Sequence, residues 1–420
     1  MKTRIAMMWG GKTVEHEVSV ISGIQALMAM DKEKYECIPV YLTKDNDMYI
    51  GSKVGQIESY RDIPAMLKES VRVVMVNDDG RFKFVQYPFR RFGGMQPVEF
   101  DMAFPIVHGT NVEDGALQGY LKTVGVPFVG PDVTSSAISM DKFITKAVLK
   151  EAGVPVLDAR VYTLADYAET EVLLDDIEKV FGYPVIVKPV NLGSSVGIGV
   201  AKDRNELISV VDDAYMYATR VMVEHAISNL KEINCAVLGD ENEAIASECE
   251  EPLGSGQILS YEDKYVNGGG KKGAKGPAKG QATVNVSADA ESAGGTKGSA
   301  GSGMANLSRK IPADISDERR EEIRELAVKS FKALGCNGVS RIDFMIDMAT
   351  DKVYINEINT IPGSLAFYLW EPKGVKYTEL LERLIQLALK RYRQGEKISY
   401  TFDTNILSMG GSFGSKGSKR

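Results

Sequence analysis

The chain is short of the residues that build metal cages and disulfide frameworks. Its 420 residues hold three histidines and four cysteines. Cys37, Cys235, Cys249 and Cys336 form no CxxC pair and no zinc spacing, so they read as reduced thiols of a cytoplasmic protein. No basic run stands out and the net charge is -7, which argues against a nucleic-acid partner. No apolar run is long enough to span a bilayer. The short apolar stretch that opens the chain meets Gly10, Gly11 and Glu15 at once, so it reads as a first strand, without a signal-peptide core. What remains is ordinary globular composition, 44% hydrophobic and 25% charged. The length allows two or three domains.

Patterning divides the chain at about residues 139, 229 and 400. In 1–139, a strand over 4–9 turns at Gly10-Gly11-Lys12-Thr13. A helix over 18–30 and a strand over 37–42 follow, an order that implies a parallel α/β unit. A strand over 100–107 and a helix over 115–124 close this region. In 140–229, the spacing predicts a helix over 141–152 that stops at Gly153 and Pro155. Strands over 183–189 and 220–224 flank a Gly/Ser loop, a short strand over 198–201 and a helix over 206–217. In 230–400, helices are expected over 317–334 and 377–392. Residues 267–303 are Gly, Ala, Lys and Ser with almost no large apolar side chain. That stretch is expected to be mobile, as is the tail over 401–420.

Two segments carry chemistry. Residues 339–347 and 353–359 alternate, so Arg341, Asp343 and Met345 share one face, as do Ile355, Glu357 and Asn359. A hairpin folded symmetrically about Thr350 sets Asp343 opposite Glu357, with no bulge. Either acid alone reads as a solvated hairpin face. Together with Asn359, beside Arg341 and just before Ile361-Pro362-Gly363, they read as oxygen ligands for magnesium against ATP. The second segment is Val187-Lys188-Pro189 running into Gly193-Ser194-Ser195-Val196-Gly197. Glycines let backbone N–H groups close on phosphate, and Lys188 sits where its ammonium reaches the same group. The lysine precedes the glycines, so this is no P-loop. Lys142 and Lys264 are further phosphate candidates, although each alone reads as a surface lysine.

Taken in order, these segments resemble the D-alanine–D-alanine ligase family. The resemblance rests on Gly10-Gly11-Lys12-Thr13-Val14-Glu15-His16-Glu17-Val18-Ser19 and on His108-Gly109-Thr110-Asn111-Val112-Glu113-Asp114-Gly115. The Lys188 loop, Glu224 with Glu232, Lys264-Tyr265, Arg341-Ile342-Asp343 and Asn356-Glu357-Ile358-Asn359-Thr360-Ile361-Pro362-Gly363 follow. It covers about 3–395, interrupted over 267–303. It implies an ATP-grasp fold of mixed α/β and α+β type: a Rossmann-like N-terminal α/β substrate domain, then two α+β lobes clasping ATP. It implies ligation of two D-alanines through an acyl phosphate for peptidoglycan precursor synthesis, with magnesium or manganese, in a cytoplasmic homodimer.

By family position, Glu15, Ser194 and Tyr265 form a clasp on the first D-alanine, which His108 approaches. Arg341 and the Gly363 N–H hold the oxyanion. Lys142, Lys188 and Lys264 touch phosphates; Glu224, Ala226 and Ile227 border adenine; Glu232 binds ribose. Asp343, Glu357 and Asn359 bind the metal. Residues 267–303 enlarge the lid loop after Tyr265. Ser364 is the candidate for the second substrate's carboxylate, in a run, Ser364-Leu365-Ala366-Phe367-Tyr368, that departs from the family pattern. D-alanine–D-serine and D-alanine–D-lactate ligases are therefore the nearest rivals, with Tyr265 favouring D-alanine. A nucleotide-binding regulatory module without catalysis is the rival of another class.

Overall fold

The computed structural model describes residues 2–253 and 309–401. Lys264, Tyr265, the 267–303 stretch and the tail beyond 401 lie outside them. Three sheets follow one another along the chain.

The first sheet holds β1 (Thr3–Gly10), β2 (Tyr35–Leu42), β3 (Met48–Ile50), β4 (Val71–Asp78), β5 (Arg81–Gln86), β6 (Val98–Phe100) and β7 (Met102–Pro105), in the order β6-β5-β4-β3-β2-β1-β7. As the pattern predicts, β1 and β2 are parallel, joined through helix His16–Ala29. The sheet is not wholly parallel, however. From β2 through β6 every pairing is antiparallel, each strand running back beside the one before it. Asp79 and Gly80, both at positive φ, close the β4–β5 hairpin, as an Asp-Gly turn favours. The single strand expected over 100–107 is two. Between β6 and β7 lies only Asp101, yet they sit at opposite ends of the sheet, so the sheet curls until its ends meet there. Arg4 on β1 fixes that corner with 2.7 Å hydrogen bonds to Asp101 from its backbone N–H and its Nη2.

The second sheet, β8 (Ala159–Thr163), β9 (Val185–Pro189), β10 (Gly199–Ala201) and β11 (Arg220–His225), runs β10-β9-β11-β8 and is antiparallel. Helices Thr170–Phe181 and Arg204–Tyr215 cover it with Leu173, Leu174, Ile177, Leu207 and Val211. The third holds β12 (Leu230–Gly239), β13 (Ala244–Pro252), β14 (Arg309–Lys310), β15 (Gly338–Asp347) and β16 (Lys352–Asn359), in the order β14-β13-β12-β15-β16. Helix Asp317–Ala333 packs on it, burying Ile323, Ala327 and Phe331.

The cores do not follow chain order. Leu149, from the helix Lys142–Glu151 that precedes the second sheet, joins the core of the third. Ile361, Leu365 and Trp370, with Leu380, Leu381, Leu384 and Ile385 of helix Tyr377–Gly395, join the core of the first. The chain leaving β16 is thereby pinned to the N-terminal sheet. No helix among the described residues is long and apolar enough to cross a membrane.

Candidate active site

The β15–β16 hairpin pairs Asp343 with Glu357 and Arg341 with Asn359. Beyond them the register shifts: Phe344 pairs with Ile355, which leaves Asn356 as an extra residue. The bulge-free hairpin is thus corrected, and so is the face shared by Ile355 and Glu357. Ile355 and Ile358 are both core residues, and they are three apart. Period-two alternation would expose one of them; the bulge buries both and turns Asn356 and Glu357 outward together.

Arg341 is buried and grips Asp343 with two hydrogen bonds of 2.7 Å, from Nε and Nη2. Burial opposes its charge, but Asp343 raises its pKa well above the ordinary value. Asn359 donates its amide nitrogen to Asp343 Oδ2 at 3.1 Å, which turns the amide oxygen the other way. Lys142, itself buried, lies 3.7 Å from Glu357 and donates to the Leu192 carbonyl at 2.6 Å. Asp141 caps that lysine's helix by accepting from the N–H groups of Phe143 and Ile144.

Glu15 is the residue before helix His16–Ala29. Its carboxylate accepts from the Ser194 hydroxyl. Ser194 and Ser195 both take positive φ, so the loop turns back on itself at this point. Gly193 and Gly109 lie so close to Glu15 that a Cβ on either would meet its Oε2 at 2.5 and 2.7 Å. Glu15, Lys142, Gly193, Glu357 and Asn359 line one cleft. The hairpin, the Gly/Ser loop and the first βα turn, distant in sequence, therefore meet there.

Lys188 on β9 donates to Asn356 Oδ1 at 2.9 Å and is ion-paired with Glu224 on β11. Glu224 is fully buried, and its second oxygen lies 2.8 Å from the Lys146 ammonium. Burial works against the Glu224 charge, yet the two lysines hold its pKa below the usual carboxylate range. Burial lowers that of Lys146. Ala226 is buried beyond Glu224, its N–H bound to the Pro184 carbonyl; Ile227 is half-buried, and Glu232 stands on β12.

His108 is almost fully buried, and both ring nitrogens are engaged. Nδ1 is 2.8 Å from the Ile361 carbonyl and Nε2 is 2.9 Å from Ser22 Oγ. Burial lowers its pKa to about 4, so it is neutral at physiological pH. Nδ1 must donate to the carbonyl, which leaves Nε2 to accept from Ser22. Ser22 Oγ in turn accepts the Ser364 N–H at 2.9 Å. The Ser364 hydroxyl donates to Gln25 Oε1 at 2.7 Å, so it is spent on the N-terminal helix. Gly363 opens the 3-10 segment Gly363–Leu369, in which Ser364, Leu365 and Ala366 are left-handed.

Sequence reasoning passed over Lys146, Ser22 and Gln25, and gave Asn356 and Glu113 no role beyond the motifs they stand in. Lys146 falls one turn after Lys142 on the same helix, a signal that spacing alone could have supplied. For Glu113 no local pattern marks the distant contacts, which come from Thr360 and Ile361.

Family models for the D-ala D-ala ligase N-terminus and C-terminus match residues 4–131, and 148–292 with 300–386. The chain belongs to the D-alanine–D-alanine ligase family. It is therefore a ligase, and its fold is the ATP-grasp fold. The D-alanine–D-alanine ligase of Thermosipho melanesiensis is 34% identical over 405 residues, 96% of this chain and 98% of the relative. That of Caldicellulosiruptor bescii is 36% identical over 95% of this chain and 99% of its own. The D-alanine–D-alanine ligase structure from Coxiella burnetii superposes with TM-score 0.72 at 28% identity, covering 94% of this chain and 96% of that one. The VanG D-Ala:D-Ser ligase structure from Enterococcus faecalis gives 0.70 at 28%, covering 92% and 100%. The match to the C-terminal model is interrupted between 292 and 300, inside the 267–303 stretch.

Proposed function

We propose that this ligase joins two D-alanine molecules at the expense of ATP, making D-alanyl-D-alanine for peptidoglycan precursors. The observation that carries the reading is the single cleft lined by Glu15, Lys142, Glu357 and Asn359. An ammonium-binding acid, a phosphate-binding lysine and metal-type oxygens all open onto one space.

Glu15, set by Ser194 and Gly193, takes the ammonium of the first D-alanine, with Tyr265 completing the clasp. The carboxylate oxygen of that D-alanine forms a bond to the γ-phosphorus as the bond to ADP breaks, giving an acyl phosphate. The amine of the second D-alanine then attacks the acyl carbon, loses a proton, and phosphate leaves. Lys142, Lys188 and Lys264 neutralise phosphate oxygens, as charge-stabilising phosphoryl transfer requires. Lys188 reaches them by leaving Glu224, whose charge Lys146 continues to balance. Glu224, Ala226, Ile227 and Glu232 border the adenosine. Arg341, with the Gly363 N–H, stabilises the tetrahedral oxyanion.

Asp343, Glu357 and the Asn359 oxygen fit a magnesium or manganese ion: hard oxygens on facing residues of one hairpin. Among the described residues no group of three or more His, Cys, Asp or Glu that could hold a metal ion is found; an ion here would draw its remaining ligands from phosphate oxygens and water. A divalent ion bound there supplies positive charge to the transferring phosphoryl group. The domain division at 139 and 229, a homodimer and a cytoplasmic location belong to the same reading.

The test is phosphate release from ATP with D-alanine alone and with D-alanine plus D-serine or D-lactate. D-alanine alone is expected to turn over best, and Arg341→Ala to lower kcat by about 100-fold or more. Faster turnover with D-serine, the reading favoured by the likeness to VanG, overturns the choice of second substrate. Equal activity in Arg341→Ala removes the oxyanion role.

A further inference from the structure

The peptide of Ile361 is held at both ends by the N-terminal unit. Its N–H donates to Glu113 Oε1 at 2.8 Å, and its carbonyl accepts from His108 Nδ1 at 2.8 Å. Glu113 is a buried carboxylate on the His108–Gly115 segment, with no cation bonded to it among the described residues. It accepts three hydrogen bonds, and they come from two elements. The Thr360 hydroxyl, at 3.1 Å, and the Ile361 N–H reach Oε1 from the strand end after β16. The Gly109 N–H reaches Oε2 at 3.0 Å from its own loop. Its backbone N–H also closes on the Gly109 carbonyl at 2.9 Å, so the acid is anchored where it stands.

Both elements matter. Gly109 packs on the Glu15 carboxylate. Thr360 follows Asn359 and precedes Pro362-Gly363 by one residue. A buried carboxylate is costly unless its oxygens are satisfied, so keeping one here buries a cost that an apolar residue would avoid. Apolar packing cannot fix the height of one peptide relative to a loop on another sheet. Three directed hydrogen bonds can.

We propose that Glu113 is a positioning residue: with His108 it clamps the Ile361 peptide, fixing the Thr360–Gly363 loop in register with the Glu15 pocket. The clamp acts through Gly363 and Asn359, and Glu113 and Thr360 border the same cleft as Glu15 and Lys142. It rests on the ligase reading for its kinetic consequence, but not for its geometry. Loss of the clamp shifts the oxyanion donor against the bound first substrate, and displacement on the ångström scale costs on the order of 100-fold in rate. ATP is held chiefly by Lys142, Lys188 and the β11 edge, so its binding is spared.

The test compares the parent with Glu113→Ala and Glu113→Gln. Steady-state phosphate release gives kcat and KM for ATP; amide hydrogen exchange of the folded proteins follows Ile361 and Gly363. Glu113→Ala is expected to lower kcat on the order of 100-fold with KM for ATP within about threefold. Glu113→Gln, which keeps an acceptor oxygen, recovers part of the loss. The Ile361 amide is expected to lose protection in Glu113→Ala and to keep more of it in Glu113→Gln. A kcat within about threefold of the parent, or a KM for ATP that rises as much as kcat falls, overturns the proposal. Unchanged exchange at Ile361 overturns it whatever the kinetics. If Glu113→Ala does not fold, Glu113→Leu, which fills the space and offers no acceptor, takes its place under the same criteria. A parent that releases no phosphate refutes the ligation of D-alanine and leaves the exchange measurement to decide the clamp.

Discussion

Glu224 and its two lysines form a buried cluster in which the charges do not cancel, and that asymmetry can be measured. With all three ionised, the cluster carries one excess positive charge. Glu224 is 0% exposed, and the Lys146 and Lys188 side chains are each 5% exposed. Glu224→Gln leaves two ammonium groups facing a neutral amide. Breaking a buried pair in this way costs roughly 3–5 kcal/mol. Lys146→Met is different. It keeps the Glu224–Lys188 pair, retains a flexible chain of similar length, and removes the cation whose charge burial already disfavours. Its expected cost is about 1 kcal/mol or less, because the lost attraction is offset by the desolvation no longer incurred. At roughly 2–4 °C per kcal/mol for units of 150–250 residues, the melting midpoint falls by roughly 6–20 °C for Glu224→Gln. It falls by roughly 4 °C or less for Lys146→Met. Calorimetry without nucleotide reads both. A Lys146→Met protein as destabilised as Glu224→Gln refutes the reasoning, since it makes the second lysine a required partner of the pair.

Two further outcomes follow from the N-terminal half of the site. His108 is held near 4, below its ordinary 6.5, so on acidification the unfolded chain takes up a proton that the folded one refuses. Glu113, raised to about 7 chiefly by burial, has the opposite sign: its folded form keeps a proton that the unfolded chain has lost. Between about pH 4.5 and 6.5 the two effects cancel in the parent. In His108→Gln only the Glu113 effect remains, so the parent's stability advantage grows by ~2 kcal/mol from pH 5 to pH 7; urea unfolding at the two pH values that shows a constant difference contradicts the buried neutral histidine. Gly109→Ala places a Cβ 2.3 Å from Thr13 Oγ1 and 2.7 Å from Glu15 Oε2, at a φ of +86°. The expected result is a loss of roughly 1–3 kcal/mol from the strained backbone and a higher KM for D-alanine with KM for ATP little changed; steady-state kinetics with each substrate varied in turn decides it.

Much of this protein was legible in one dimension. Alternation over the last hairpin set Arg341 and Asp343 on one face and Asp343 opposite Glu357, because strand side chains repeat every two residues and the turn between the strands is short. The helix over 141–152 was marked by Asp141 at its start and Gly153 at its end, both local signals. Ordered motifs carried the family. What the pattern could not carry was anything that depends on two distant segments meeting. The bulge at Asn356 exists because Ile355 and Ile358 both face a core formed with other elements. Ser364 turns its hydroxyl to Gln25, 339 positions away. Glu113 satisfies the Ile361 N–H across 248 positions, and Arg4 closes a curled sheet at Asp101 across 97. The sequence by itself determined the family and the local elements that carry Glu15, Lys142, Arg341, Asp343 and Glu357. Tertiary structure alone decided which partner Glu113, His108 and Ser364 would find, because most buried donors and acceptors are satisfied by whatever the fold brings within hydrogen-bond reach.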